Sequence, residues 1–299
     1  MLSNNGTYYL GRVIKIGTLD HEKLIKAILN PKPILAWGFA WSFISAQKGS
    51  IDGVDFVYAK LCKYSPDAEV MIVVPEKGEE KSQEEPNLRI ASSPFIYIPE
   101  FSGIAFLRVS THVEPHTFMK RFATLVKNKY DNFFVDCKIE AISDLRTFAI
   151  KLSKLDSIVN ISATISPPNP LFGHLWEELK KYLEARRTDK MKIQEESFGD
   201  KSISTNLPSL IENISEHTSE KPSLPSKVDI GDAAILMAAD GYGIGYVKGR
   251  QQGEMVVIKT SETIKNFSFS KEAAPEDLFR KVYDILNKIN EDRHMKHNE

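Results

Sequence analysis

GIAFLRVSTHVEPHTFMKRFATLVKNKYDNFFVDCKIEAISDLRTFAIKLSKLDSIVNISATI, residues 103–165, is the stretch whose reading decides the fold. Residues 103–109 are an apolar run before a polar turn, the mark of a strand. Pro115, favoured in a first helical turn, opens a helix on which Phe118, Phe122, Leu125 and Val126 recur at helical spacing. A strand over 133–142 follows. A helix after Asp144 then carries Leu145, Phe148, Ala149, Leu152 and Leu155, and a strand over 158–165 stops at Pro167-Pro168. This β-α-β-α-β order predicts helices packed on a mixed sheet.

Upstream, residues 8–17 alternate as a strand does, and Asp20 is placed to cap a helix that buries Leu24, Ile25, Ile28 and Leu29. Residues 55–64 and 69–74 read as paired strands joined by the turn Ser65-Pro-Asp-Ala68, and the charged run 75–87 reads as an exposed loop. Residues 95–98 and 103–109 form a second pair, turned at Pro99-Glu-Phe-Ser-Gly103. These hairpins add an antiparallel element, so the predicted class is α+β, leaning to an α/β sandwich.

Downstream of Pro170 a helix is expected on the stripe Leu175, Trp176, Leu179, Tyr182 and Leu183. Residues 198–227 are polar and hold few large apolar side chains. A helix over 229–239 then stops at Gly241, where glycine tolerates a left-handed cap. Residues 242–247 and 255–259 read as a hairpin around Arg250-Gln-Gln-Gly253, and 275–290 as an amphipathic helix. The predicted organisation is a main α+β domain over 1–195, a polar linker or long loop over 196–227, and a helix–hairpin–helix module over 228–299.

The 299 residues carry 39 basic and 40 acidic side chains, a net charge of −1, which argues against a uniformly basic nucleic-acid binder but allows a local basic patch. Cys62 and Cys137 form no CxxC and fit a reducing compartment. The start lacks a basic segment followed by an apolar run, and the aromatic stretch 34–44 is too short to cross a membrane. The expectation is a cytoplasmic protein without membrane insertion, the aromatics being buried.

Candidate chemistry is sparse. Gly241-Tyr-Gly-Ile-Gly-Tyr-Val-Lys-Gly249 follows a helix and precedes a strand, the reverse of a dinucleotide fingerprint, so it reads as a helix stop and hairpin. Val135-Asp-Cys-Lys-Ile139 has the acidic-x-Lys form of metal-dependent nucleases, with Asp136 as metal ligand, Lys138 steadying the attacking water and Glu114 as a further carboxylate. The same residues alternate as a half-exposed strand does. His112-Val-Glu-Pro-His116 is interrupted by Pro115 and has its carboxylate at the wrong offset for a zinc helix. No metal and no cofactor are expected. Two basic sets remain as phosphate contacts: Lys120, Arg121, Lys127 and Lys129, with no acidic residue among them, and Lys180, Lys181, Arg186 and Arg187, interleaved with glutamates.

Several segments together resemble a known family. Asp144-Leu-Arg leads to Leu155-Asp-Ser-Ile-Val-Asn-Ile-Ser-Ala-Thr-Ile-Ser-Pro-Pro-Asn-Pro170, then to a Glu-rich helix and a helix running into Asp240-Gly-Tyr-Gly243. This resembles the bacterial domain-of-unknown-function family 4747, with Asp240 where that pattern has Asn. Ser93-Pro-Phe-Ile-Tyr-Ile-Pro99 with Gly103-Ile-Ala-Phe-Leu-Arg108 is also similar to the phage-exclusion protein A of the Rex system. The resemblance covers roughly residues 8–269. It implies a bacterial cytoplasmic protein of phage-defence or abortive-infection surroundings, homo-oligomeric and in contact with DNA. It lends no catalytic residue. The expected function is therefore a non-enzymatic component that binds nucleic acid or a partner protein encoded nearby. The alternatives are a nuclease-type toxin built on Asp136, Lys138 and Glu114, or a structural subunit of a defence complex.

Overall fold

The computed structural model describes residues 4–166, 177–186, 188, 190–199, 201–215 and 228–293. In order, these form β1 (Asn5–Gly17), α1 (His21–Leu29), β2 (Ile34–Ala36), β3 (Phe39–Ile51), β4 (Val54–Val74), β5 (Glu79–Ile98) and β6 (Gly103–Leu107). Then come α2 (Pro115–Lys129), β7 (Val135–Ala141), α3 (Leu145–Leu152), β8 (Ser157–Ile165), α4 (Glu177–Arg186), β9 (Met191–Glu196) and α5 (Leu207–Ser215). The last are α6 (Ile230–Met237), β10 (Gly243–Gln251), β11 (Glu254–Lys259), β12 (Asn266–Ser270) and α7 (Pro275–Arg293). The class is α+β.

β1 organises the larger sheet, ordered β12-β1-β6-β5-β4-β3-β2. One edge of β1 pairs with β6 through Tyr8–Arg12. The opposite edge is shared, β12 taking Asn5–Tyr9 and β7 taking Gly11–Gly17. β6 and β7 are both antiparallel to β1 and therefore parallel to each other, with α2 as the crossover between them. This is a split β-α-β unit. The smaller sheet, β11-β10-β8-β9, is antiparallel throughout. The strands of the β-α-β-α-β run are thus not neighbours: β6 and β7 flank β1, while β8 opens the second sheet.

Helices cover both faces of the larger sheet, which is why β5 and β6 end in unbroken apolar runs. On one face α1 and α2 bury Phe118, Phe122, Leu24 and Ile28 against Phe95 and Phe106. Phe106 stacks on Phe118 with centroids 4.1 Å apart. On the other face α7 buries Leu278, Val282 and Leu286 against Leu10, Ile96 and Ala105. Each such side chain contributes roughly 1.5–3 kcal/mol when fully buried. A separate core joins the smaller sheet to α3, α5 and α6.

Four local expectations need correction. The turn expected at 65–68 is absent: β4 is one strand of 21 residues, paired with β5 from Val74↔Glu79 down to Val57↔Tyr97. The charged run 79–87 is accordingly strand, because ladder bonds use backbone groups and are indifferent to side-chain charge. The turn proper spans only 75–78, with Gly78 at φ 65°. Within the polar break, Leu207, Leu210, Ile211 and Ile214 form the buried stripe of α5; residues 216–227 lie outside those described. Finally, Tyr182 is exposed on α4, where Leu183 is the buried residue, and Leu175 and Trp176 lie outside the described residues.

Residues 228–293 pack on both sheets. β10 pairs with β8, β12 pairs with β1, and α7 covers the larger sheet. After α6 a wide turn over Ala238–Tyr242 ends with Gly241 at φ 84°, and a Cβ on Gly243 would collide with the Thr164 carbonyl. That is the helix stop and close strand approach expected of this glycine run. Gln252 and Gly253, at φ 52° and 84°, close the hairpin.

Candidate nucleic-acid interface

The hairpin of β2 and β3 turns at Trp37-Gly38, both with positive φ (57° and 75°). A bulky side chain in that region of the map is unusual, and Trp37 is 86% exposed. The hairpin stands beside the first half of α2, and between them lies a cleft of about 290 Å³. Trp37, Phe39 and Trp41 line it from the hairpin, Lys63 from β4, and His112, His116, Lys120 and Arg121 from α2 and the turn before it. Among the described residues no carboxylate lines it.

The cations are stacked on the aromatics. Lys63 Nζ lies 3.8 Å from the Phe39 ring centre, and Arg121 Cζ lies 5.3 Å from that of Trp41. Such contacts orient a cation at a cost far smaller than a salt bridge would demand, leaving its charge unneutralised. Among the described residues neither Lys63, Lys120 nor Arg121 forms an ion pair. Trp41 Nε1 and Arg121 Nε are buried there without a hydrogen-bond partner among the described residues. Desolvation also pulls Arg121 below the usual arginine range. Two unspent donors and a partly dehydrated cation are what an incoming anion satisfies.

The first basic set therefore divides. Lys120 and Arg121 line the cleft, whereas Lys127, two turns on, donates to Asp136 Oδ2 at 3.0 Å. Lys129 ends the helix, where a cation faces the negative end of the dipole. Of the second set, Lys181 and Arg186 are exposed on α4, Lys180 lies on the same helix, and Arg187 is outside the described residues. α4 buries Leu183 in the core of the smaller sheet, apart from the core beneath the cleft.

The nuclease set is not brought together. Asp136 is held by Lys127 and by the Cys137 amide, and Lys138 is exposed on the same strand. Glu114 sits at the other end of α2, roughly 20 Å away at 1.5 Å per residue, bound by Arg108 Nε at 2.6 Å and by the Thr111 amide. These bonds lower its pKa, the Arg108 hydrogen bond most. Among the described residues no cluster of His, Cys, Asp and Glu could hold a metal ion. Both cysteines are buried, and burial pushes both thiols up, so neither is an activated nucleophile.

Sequence reasoning missed two things here. One is the aromatic half of the cleft: the run 34–44 predicts buried aromatics, yet of Trp37 and Trp41 only Trp41 is buried, while His112 and His116 share the site. The other is a polar relay beneath α1. Lys15 Nζ lies 2.8 Å from His21 Nε2 and 3.3 Å from Ser102 Oγ, and His21 Nδ1 lies 2.9 Å from the Tyr97 hydroxyl. Burial lowers Lys15 to about 8, and burial followed by the Lys15 charge lowers His21. Nothing local in the sequence signals this relay, because its members come from β1, α1, β5 and the turn before β6.

With this geometry in place, the family is clear. The chain matches the family described as Domain of unknown function (DUF4747) over residues 18–220, most of its length, and belongs to that family. The matched span includes every residue that lines the cleft. No curated protein matches the chain. None of the helices among the described residues is long and apolar enough to cross a membrane.

Proposed function

We propose that this protein is a non-enzymatic, cytoplasmic component of bacterial phage defence that holds single-stranded nucleic acid in the cleft between the β2–β3 hairpin and α2. The observation that carries the reading is the pairing of exposed and half-buried aromatics with cations that form no ion pair among the described residues. Sequence-tolerant strand binders combine such stacking platforms with a positive groove, each stacked base contributing about 1–3 kcal/mol. A cleft of 290 Å³ is at the small end of ligand pockets and suits a nucleotide of one strand rather than the body of a duplex. Trp37 supplies the stacking face, Lys63 and Lys120 meet phosphate, and Arg121 donates to it. The defence setting rests on the sequence likeness to the Rex-type phage-exclusion protein A alone; no curated protein matches the chain.

Fluorescence anisotropy with labelled single-stranded DNA and RNA tests the reading. Affinity is expected to fall steeply with salt. Trp37→Ala is expected to weaken binding by about tenfold, the loss of one stacked base, without loss of stability, and no strand should be cleaved. Absent or salt-independent binding, or a Trp37→Ala protein that binds as the parent does, overturns it.

A further inference from the structure

Beyond Tyr64↔Arg89, β4 and β5 leave the body of the protein as a bare two-stranded arm. Pairing with β3 ends at Ala40↔Tyr64, and pairing with β6 reaches only Phe95↔Phe106. From Tyr64 to Val74 the arm extends about 30 Å at 3.3 Å per residue. Residues 65–88 carry Asp67, Glu69, Glu76, Glu79, Glu80, Glu84 and Glu85 against Lys77 and Lys81 alone, a net charge of 2 − 7 = −5.

Register sorts these charges by face, since directly paired residues project to the same side. Asp67↔Pro86, Glu69↔Glu84, Met71↔Ser82 and Val73↔Glu80 share one face. That face bears four carboxylates around Met71 and Val73, which are 63% and 68% exposed. Glu69 and Glu84 stand directly opposite each other, an unfavourable pairing within a strand ladder. Among the described residues no lysine or arginine pairs with any of the four; Glu69 accepts only from the Ser82 hydroxyl, at 3.4 Å. A two-stranded ribbon with apolar and uncompensated acidic side chains is marginal by itself.

The geometry points to a second copy of this chain as the occupant: the acidic, apolar face of one arm docks on the basic, aromatic cleft of the next molecule. Carboxylates flank two exposed apolar side chains on the arm, and Lys63, Lys120 and Arg121 flank Trp37 and Phe39 in the cleft. The docking is between molecules because Lys63, which lines the cleft, lies next to the base of its own arm. A paired ribbon leading on from Lys63 carries Glu69 about 20 Å and Val73 about 33 Å further along the strand. Arm-to-cleft contact leaves one free arm and one free cleft at the ends, so the assembly closes as a ring or grows as a filament. The inference stands on the charge of the cleft and not on its occupation by nucleic acid.

Charge reversal with exchange tests it, read by analytical ultracentrifugation. The parent protein is expected to form concentration-dependent oligomers near about 50 mM salt that disperse near about 500 mM, where screening is strong. The arm variant E69K/E84K and the cleft variant K120E/R121E are each expected to self-associate at least tenfold more weakly. Mixed in equal amounts they should assemble again, because the reversed arm fits the reversed cleft and the native arm the native cleft. A parent protein that is monomeric at every salt, single variants that assemble as the parent does, or a mixture that stays monomeric overturns the proposal. Reassembly of the mixture also shows that both variants fold. Because E69K/E84K keeps a native cleft, its strand binding separates failure of this proposal from failure of the functional one.

Discussion

Arg12 and Arg121 lie on opposite faces of the same sheet, the first fully and the second only partly removed from water, and they are spent in opposite ways. Arg12 is fully buried: its Nε donates to the Asp240 carbonyl at 2.8 Å, one terminal nitrogen to the Phe101 carbonyl at 2.7 Å, and the other to Asn290 at 3.2 Å. Its guanidinium also lies over Tyr242, 4.8 Å from the ring centre. One side chain thereby ties β1 to the turn before β6, to the turn after α6 and to α7. Arg121 finds no acceptor for its Nε among the described residues and rests on Trp41 at the edge of a cleft. The fork of an arginine can serve structure or ligand, and the count of satisfied donors tells which.

Replacing Arg12 breaks the comparison most severely. Arg12→Met removes the donors to the Phe101 and Asp240 carbonyls, each lost bond costing about 1–3 kcal/mol, and loosens α7. Unfolding by denaturant is expected to show a loss of about 3–5 kcal/mol; a loss below about 1 kcal/mol would remove Arg12 from its structural role. Arg121→Ala should do the reverse. Its stability is expected to change by less than about 1 kcal/mol, while single-strand affinity falls about tenfold, equivalent to about 1.4 kcal/mol. Lys127→Ala sharpens the contrast from within the same basic run. Its half-exposed pair with Asp136 contributes at most about 1 kcal/mol, and affinity should stay within about twofold, as measured by the same titration.

The smallest effect is a slope. The unfolded chain keeps a proton on Lys15 between about pH 8 and 10 that the folded chain sheds, because burial lowers this amine to about 8. Stability therefore rises with pH across that window, and the Lys15→Met protein should lack the rise. Above about pH 10 the buried phenols of Tyr8 and Tyr97, raised by desolvation, act in the opposite direction. Denaturation curves at several pH values compare the two proteins; equal slopes would show that Lys15 carries its full charge in the folded state.

Most elements were legible in the chain because their signals are local. Asp20 caps α1 by accepting from the Lys23 amide, Pro115 starts α2, and Gly241 ends the turn after α6, each as its neighbours dictate. The arm was not legible: its charged strand is maintained by backbone pairing with β4, which composition cannot report. The cleft was half legible. Lys120 and Arg121 stood out as basic residues without acidic neighbours, but Trp37 and Trp41, in one aromatic run, differ by whether the chain turns between them.

The sequence alone determined the α+β class, the family and the division of residues into apolar faces and polar turns, since periodicity and capping act over a few residues. Only the tertiary structure decided which strands became neighbours, which basic residues were neutralised and which were left facing a cleft. Those outcomes depend on partners brought in from distant parts of the chain. Asp136 reaches Lys127 from the next strand, whereas among the described residues no acidic side chain pairs with Lys120 or Arg121.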